Sequence, residues 1–292
     1  MLKNTFCHIP GIGIKTETRL WSTGVRCWED CQKERLPKMS PRKKETIKEY
    51  IRLSKENLSA DNPNFFSELL PANLHWRLFP EFRKSVAYLD IETTGMDPYD
   101  GAITSVALFD GDTIYTFVKG QNLENLKELI KSYRVIVSYN GKCFDVPYIE
   151  NHLGIKMDQA HIDLRYVLAA LGYKGGLKAC ETALGLNRGD LKGVDGFFAV
   201  LLWHDYRINN NINALETMLA YNIYDAVNLE TLMVIAYNMN LASTPFYETH
   251  RLPIPAVPEI PYKADMATVE RIKNRLFAAG DRYYDEEDRL SD

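Results

Sequence analysis

The chain has 292 residues, 46% of them hydrophobic and 25% charged, with a formal net charge of −4. That is enough apolar material to bury a core in one large domain or two smaller ones, which excludes a disordered chain. No apolar run reaches membrane-spanning length, Met1–Gly13 has no basic-then-apolar leader, and Cys7, Cys27, Cys31, Cys143 and Cys180 are too sparse for a disulfide framework. The expected compartment is the cytoplasm, with no membrane partner and the oligomeric state open.

The charge is unevenly spread. Residues 1–60 carry 13 Lys+Arg against 7 Asp+Glu, and the remainder 22 against 32. A basic front and an acidic body suit a protein that holds a polyanion with one part and cations with the other, although any helical surface also collects charge.

Pro10-Gly11-Ile12-Gly13 is a tight turn, and a short helix from about Lys15 to Ser22 is expected after it, ending near Gly24. A Gly-x-Gly turn at a helix start offers free N–H groups and a positive dipole end, which makes Gly11 and Gly13 candidate phosphate contacts. The alternative is a structural turn packing Ile12, Leu20, Trp21 and Trp28 on the core. The stretch resembles a helix-hairpin-helix DNA-backbone motif in Ile9–Gly13, Leu20 and Gly24, but too few residues precede it for a full first helix. Cys7, His8, Cys27 and Cys31 fit no standard zinc-finger spacing. Pro41–Leu58 reads as a basic helix and Asn62–Leu70 as a short one.

From Ser85 the pattern turns strand-like three times: Ser85–Thr93, Ile103–Asp110 and Thr113–Lys119, the last two joined by the hairpin signal Asp110-Gly111-Asp112. Asn122–Tyr133 has helical periodicity, Val135–Tyr139 is a short apolar strand, Asp145–His152 is helical, and Gln159–Leu164 is a fifth strand candidate. Helices follow at Leu164–Leu171, Leu177–Leu184, Gly196–Tyr206 and, the longest, Asn213 to about Tyr237. Residues 241–263 hold five prolines and read as an extended strap. Ala264–Ala279 is an amphipathic helix candidate, and Asp281–Asp292 an acidic end. The expected organisation is a basic helical region at 1–60, a connector at 61–84, an α/β domain at 85–240, and the strap, helix and tail at 241–292.

Three segments carry chemistry. In Tyr88-Leu89-Asp90-Ile91-Glu92-Thr93-Thr94-Gly95, Asp90 and Glu92 are two apart on a strand and therefore share a face. Adjacent carboxylates raise each other's pKa unless a cation sits between them, and hard oxygen ligands suit Mg²⁺ or Mn²⁺. Val137–Asp145 runs from a strand through Asn140-Gly141-Lys142 into a helix beginning with an acid, Asp145, whose plain alternative is a helix cap. Tyr221 and Asp225 are four apart and share one helix face. Lys142 is well placed to meet a phosphate or simply faces solvent. His161 and Asp163 either support the site from behind or fill structural roles, Asp163 as a cap for the next helix.

Taken together these segments resemble the DEDD superfamily of 3′→5′ exonucleases, in its tyrosine form. Asp90-Ile91-Glu92 matches the first motif, Asn140–Asp145 the second, and Tyr221-x-x-x-Asp225 the third; the histidine form would want a histidine where Ala220 stands. In Leu89–Gly95, Asn140–Pro147, His161–Leu164, Gly175–Lys178 and Tyr221-Asn222 before Asp225, the chain more closely resembles the YprB-like RNase H-fold proteins, over about residues 85–237. The resemblance implies an α/β, RNase H-like mixed five-stranded sheet flanked by helices, with a small helical N-terminal region ahead of it. It implies two Mg²⁺ or Mn²⁺ ions held by Asp90, Glu92, Asp145 and Asp225, with Asp90 shared and Tyr221 orienting the attacking water. Thr93, Thr94, Asn140, Lys142, Gly11 and Gly13 are the candidate substrate contacts. The expected activity is two-metal hydrolysis of single-stranded DNA or RNA ends, with a non-catalytic nucleic-acid-binding protein of the same fold as the alternative.

Overall fold

Strand alternation decides the architecture. Val86 and Tyr88 of β1 (Val86–Thr93) pack into one apolar cluster, while Ala87, Leu89 and Ile91 pack into another on the opposite face of the sheet. The computed structural model describes residues 1–32, 36–96, 101–186 and 196–275. Its sheet has the order β3-β2-β1-β4-β5, with β2 (Ile103–Phe109), β3 (Ile114–Val118), β4 (Val135–Ser138) and β5 (Ala160–Asp163). The β1/β2 and β2/β3 pairs are antiparallel, and the β1/β4 and β4/β5 pairs parallel. This is the mixed RNase H-like α/β sheet that the sequence implies.

The helices are α1 (Ile14–Ser22), α2 (Trp28–Gln32), α3 (Pro41–Ser59), α4 (Asn64–Leu69) and α5 (Phe79–Phe82) ahead of the sheet. Along and after it come α6 (Leu126–Leu129), α7 (Asp145–Leu153), α8 (Leu164–Ala170), α9 (Leu177–Ala183), α10 (Gly196–Asn209), α11 (Ile212–Ala242) and α12 (Tyr247–His250). Residues 266–275 are helical; the rest of the expected C-terminal helix and the acidic end lie outside the described residues. No helix among the described residues is long and apolar enough to cross a membrane.

Helix α11 backs one face of the sheet. Its 31 residues are apolar nearly all round because the sheet, α10 and the N-terminal region cover it from several sides. Helices α6 and α7 cover the other face through Leu126, Tyr148, Ile149 and Leu153. The Asn122–Tyr133 segment departs from the expected single helix: α6 is one turn between two 3₁₀ turns, Leu123–Asn125 and Ile130–Ser132. The first end is held by bonds back to the strand just before it, and the last by a bond from a residue distant in sequence. Asn122 Oδ1 accepts from the Val118 N–H and its Nδ2 donates to the Thr116 carbonyl, while Gln159 Nε2 donates to the Ile130 carbonyl.

Met1–Cys31 contributes to the same apolar cluster as Val86 and Tyr88. Ile12, Leu20, Trp21 and Trp28 are all buried, so the Gly11–Gly13 turn has a packing role. Only a 3₁₀ turn, Leu2–Asn4, precedes it. The Arg77 guanidinium reaches both carboxylate oxygens of Glu17 at 2.7 Å, and Glu17 Oε1 also accepts from the Phe6 and Cys7 N–H groups. His8 Nε2 pairs with Ser54 Oγ at 2.8 Å, and Cys27 Sγ donates to Asp30, so neither is turned toward a shared metal.

Candidate active site

The register of β1 creates the cleft. Its parallel pairing with β4 ends at Tyr88 and Val137, while its antiparallel pairing with β2 continues to Thr93. Asp90–Glu92 therefore run past the end of β4, where the chain turns away through Tyr139–Phe144 into α7. Open α/β sheets place ligand sites at such carboxyl-end crevices. The residues of even number on β1 face α11, so Asp90 and Glu92 look toward that helix.

A cleft of about 680 Å³ occupies this corner, lined among others by Asp90, Glu92, Asp145, Tyr221 and Asp225. Three elements that are far apart in sequence thus deliver four acids and a phenol to one cavity. Glu92, Asp145 and Asp225 are buried, and Asp90 is half-buried. Burial pushes the Asp90 carboxyl well above its ordinary range, and the charges of Asp225, Glu92 and Asp145 push it further; only the Asn222 amide opposes them. Burial lifts Asp145 to about 7, with Asp163 adding to the rise, while its own N–H and that of Ile91 hold it down. The Ile91 N–H is available because β4 has already ended beside it.

Asp145 is the first residue of α7 and not its cap, since Phe144 occupies the cap position. The preceding turn is built tightly. Asn140 has φ +66°, which asparagine tolerates better than most residues. The Gly141 N–H donates to Ser138 Oγ at 3.2 Å, and Ser138 Oγ pairs with His161 Nε2 at 2.7 Å. A Cβ at Gly141 would stand 2.1 Å from that hydroxyl oxygen. Asp163 accepts from the N–H groups of Asn140 and Lys142, and from that of Arg165 at the start of α8. Asp163 therefore caps α8 and also holds the turn in front of Asp145. His161 is pushed down to about 3 by its enclosure and by nearby Lys142 and His75, so it is neutral and can accept from Ser138.

Thr93 and Thr94 line the cleft, but their hydroxyls serve the loop after β1: Thr93 Oγ1 donates to the Gly95 carbonyl, and Thr94 Oγ1 accepts from the Ala102 N–H. Asn140 lines the cleft as expected. Lys142 does not. The Asp163 bonds turn it to the far side of the loop, where it is half-buried near His161 and His75, and burial lowers its pKa. Gly11 and Gly13 lie on the N-terminal surface and take no part in the cleft lining.

Two further residues, Asn222 and Lys178, gain roles at the site. Asn222, the neighbour of Tyr221, donates from Nδ2 to the Asp90 carboxylate at 2.7 Å and to the Asp90 carbonyl at 3.1 Å, while its Oδ1 accepts from Ser105. It clamps the carboxylate of β1 to α11. Lys178 of α9 lines the cleft and sets its ammonium 4.8 Å from the centre of the Tyr221 ring.

The family model of the RNase_H superfamily named RNase_H_2 matches residues 87–237, just over half of the chain and the segment that holds every one of these cleft acids. The chain belongs to the RNase H superfamily. No curated protein matches this RNase H-superfamily chain. Among solved structures, the family B DNA polymerase from the hyperthermophilic archaeon Pyrobaculum calidifontis is 15% identical over 53% of the chain and 29% of its own length, with a TM-score of 0.25. The chain thus spans under a third of that polymerase.

The donor set of this superfamily member fits a divalent metal in its chemistry. Four carboxylates supply hard oxygens, and Asp90, raised first by burial and then by its acidic neighbours, is a carboxyl whose charged form a cation would favour. Among the described residues no three Asp, Glu, His or Cys side chains already converge on one point that could hold an ion. Asp90, Glu92 and Asp225 are the candidate holders from β1 and α11, and Asp145 the candidate from α7.

Proposed function

We infer that the chain is a metal-dependent nuclease, a 3′→5′ exonuclease acting on single-stranded DNA or RNA ends. The observation that carries the reading is the convergence of Asp90, Glu92, Asp145 and Asp225 on one cleft, with the charge on Asp90 opposed by the other three. A site that binds phosphate without metal has no use for such a concentration of acids. Membership of a superfamily composed mostly of nucleases, which typically use divalent metals, supports it. The cleft mouth also exposes Met96 and Phe197, at 83% and 63%, apolar surfaces suited to the faces of unpaired bases.

Two divalent ions, when bound, would supply charge neutralisation and an activated water. The chain's own residues divide the remaining work. Asp90, Glu92, Asp145 and Asp225 would hold the ions. Asn222 positions Asp90, and Tyr221 orients the water by hydrogen bond. Lys178 offers a cation to the scissile phosphate from beside the Tyr221 ring. Asn140, with a fixed backbone, contacts the substrate from the second motif.

The test is digestion of end-labelled single- and double-stranded DNA and RNA with Mg²⁺ or Mn²⁺, comparing wild type with Asp90→Asn and Asp225→Asn. Mononucleotide release from 3′ ends, lost in both variants, is the expected result. Metal-independent binding with no product release would replace this reading with the non-catalytic binder. Cleavage unchanged in both variants would end the assignment.

A further inference from the structure

A second cavity, of about 660 Å³, adjoins the cleft. The two share Tyr139, Asn140, Gly175 and Gly176 on their linings, so one opens onto the other across that rim. Their chemistry differs sharply. The cleft gathers four acids, whereas the second cavity has no acid on its lining and carries Arg165 and Lys174. Both cations are exposed, and among the described residues neither has a carboxylate partner. Arg165 is nonetheless aimed, because one of its nitrogens donates to Asn140 Oδ1 on the shared rim. Its backbone N–H is fixed by Asp163, the same carboxylate that holds the turn before Asp145.

Two aromatic rings stand in the wall. Tyr173 is half-buried against the core, and its N–H closes a turn onto the Leu168 carbonyl at the end of α8. Tyr139, on the rim, is held by a contact from its hydroxyl to Cys180 Sγ. The floor between them runs through Gly175 and Gly176, both at positive φ, and a Cβ on Gly175 would stand 3.2 Å from Ala179. Cations interleaved with aromatic faces, without acids, are the lining of a track for single-stranded nucleic acid: cations follow the phosphates and rings stack on unpaired bases.

We propose that this second cavity is the track for the strand upstream of the scissile bond. Arg165 and Lys174 meet the phosphates of the nucleotides that precede the 3′ end, and Tyr173 stacks on one of their bases. This rests on the nuclease reading for its polarity, since it places the 3′ end in the acid cleft. It adds that the substrate is single-stranded over several nucleotides, because a base paired to a second strand cannot lay its face on Tyr173.

The test measures binding without hydrolysis. Fluorescein-labelled oligothymidines of two and eight nucleotides are titrated with the full chain in EDTA, by anisotropy, over a range of salt. The eight-nucleotide strand is expected to bind more tightly than the dinucleotide, and Arg165→Ala/Lys174→Ala to remove most of that difference. Each lost phosphate contact on a single strand lowers the slope of log K against log salt by about 0.7, so the double variant should lose about 1.4. Tyr173→Leu should weaken the longer strand about five- to hundredfold with little change in salt slope. Lys174→Arg should keep the slope, and Lys131→Ala, which removes an exposed cation elsewhere, should leave it as in wild type.

A wild-type chain that binds the eight-nucleotide strand no better than the dinucleotide overturns the track, as does an unaltered slope in the double variant. An equal loss for both lengths would move Arg165 and Lys174 to the terminal nucleotide and overturn the upstream assignment. Digestion assays on the same proteins separate the two readings. Cleavage with an unaltered slope removes the track alone, and track-dependent binding without cleavage removes the nuclease alone.

Discussion

Replacing Asp90 by asparagine should stabilise the metal-free protein and abolish its stabilisation by Mn²⁺. Asparagine keeps the shape and can still accept from Asn222 Nδ2 through its amide oxygen, so the change removes little besides a charge. The sign follows from linkage. In the folded state Asp90 is raised well above its ordinary range by burial and then by Asp225, Glu92 and Asp145. Between the unfolded and folded pKa values the folded state binds more protons, so stability falls as pH rises through that window, by up to about 1.4 kcal/mol per pH unit. Asp145 contributes in the same direction over its own window, from 3.8 to about 7. Water entering the cleft around half-buried Asp90 screens its acidic neighbours, so the slope it contributes should stay below that limit. His8 and His161, both pushed down to about 3, act oppositely, with stability rising with pH up to about 6.5. They are present in both proteins and cancel in the difference. Urea unfolding in EDTA at pH 5, 6, 7 and 8 should therefore show Asp90→Asn ahead of wild type by a margin that widens with pH. Adding Mn²⁺ at about 100 times its dissociation constant should return about 2.7 kcal/mol to wild type and far less to the variant. Equal stability of the two proteins in EDTA at every pH would refute the electrostatic argument, and a wild type indifferent to Mn²⁺ would refute the metal site.

Gly141→Ala should cost about 1–3 kcal/mol, because the new methyl meets Ser138 Oγ at 2.1 Å and Ser138 Cβ at 2.7 Å and must displace the turn; a thermal melt measures it, and nuclease activity should fall with it, since Asp145 Oδ2 is only 3.3 Å from the same position. Asn222→Ala should lower kcat more than it raises KM, because it frees the Asp90 carboxylate without touching substrate, and should cost about 1–3 kcal/mol through the lost buried bonds; an unchanged kcat would remove its positioning role. Arg77→Met should destabilise by about 3–5 kcal/mol, as it leaves Glu17 charged at 0% exposure, and urea unfolding should show the loss without a change in KM.

How much of the site can be read from the sequence depends on the range of each interaction. The pairing of Asp90 with Glu92, and of Tyr221 with Asp225, follows from the periods of strand and helix, which are local properties of the backbone. The Asp110-Gly111-Asp112 turn is equally local, and its side-chain bonds from Asp110 Oδ1 close within three residues. Lys142 and the far end of the Asn122–Tyr133 segment answer to Asp163 and Gln159, partners brought near only by the sheet, whereas Asn122 bonds back locally to Val118 and Thr116. Asn222 and Lys178 stand in segments that the resemblance marks, but their partners, Asp90 and the Tyr221 ring, are set by tertiary packing.

The sequence by itself determined the five strands, the long C-terminal helix and the shared faces of Asp90 with Glu92 and of Tyr221 with Asp225, because hydrophobic periodicity is written residue by residue. Only the tertiary structure decided that β4 ends at Ser138 while β1 runs on to Thr93, which opens the cleft that Asp90, Asp145 and Asp225 line. It also decided which side chains hold that corner, since the bonds of Asn222 to Asp90 span 132 residues and those of Asp163 to Asn140 and Lys142 span more than 20. Contacts of that separation are fixed by packing, and packing is a property of the whole chain.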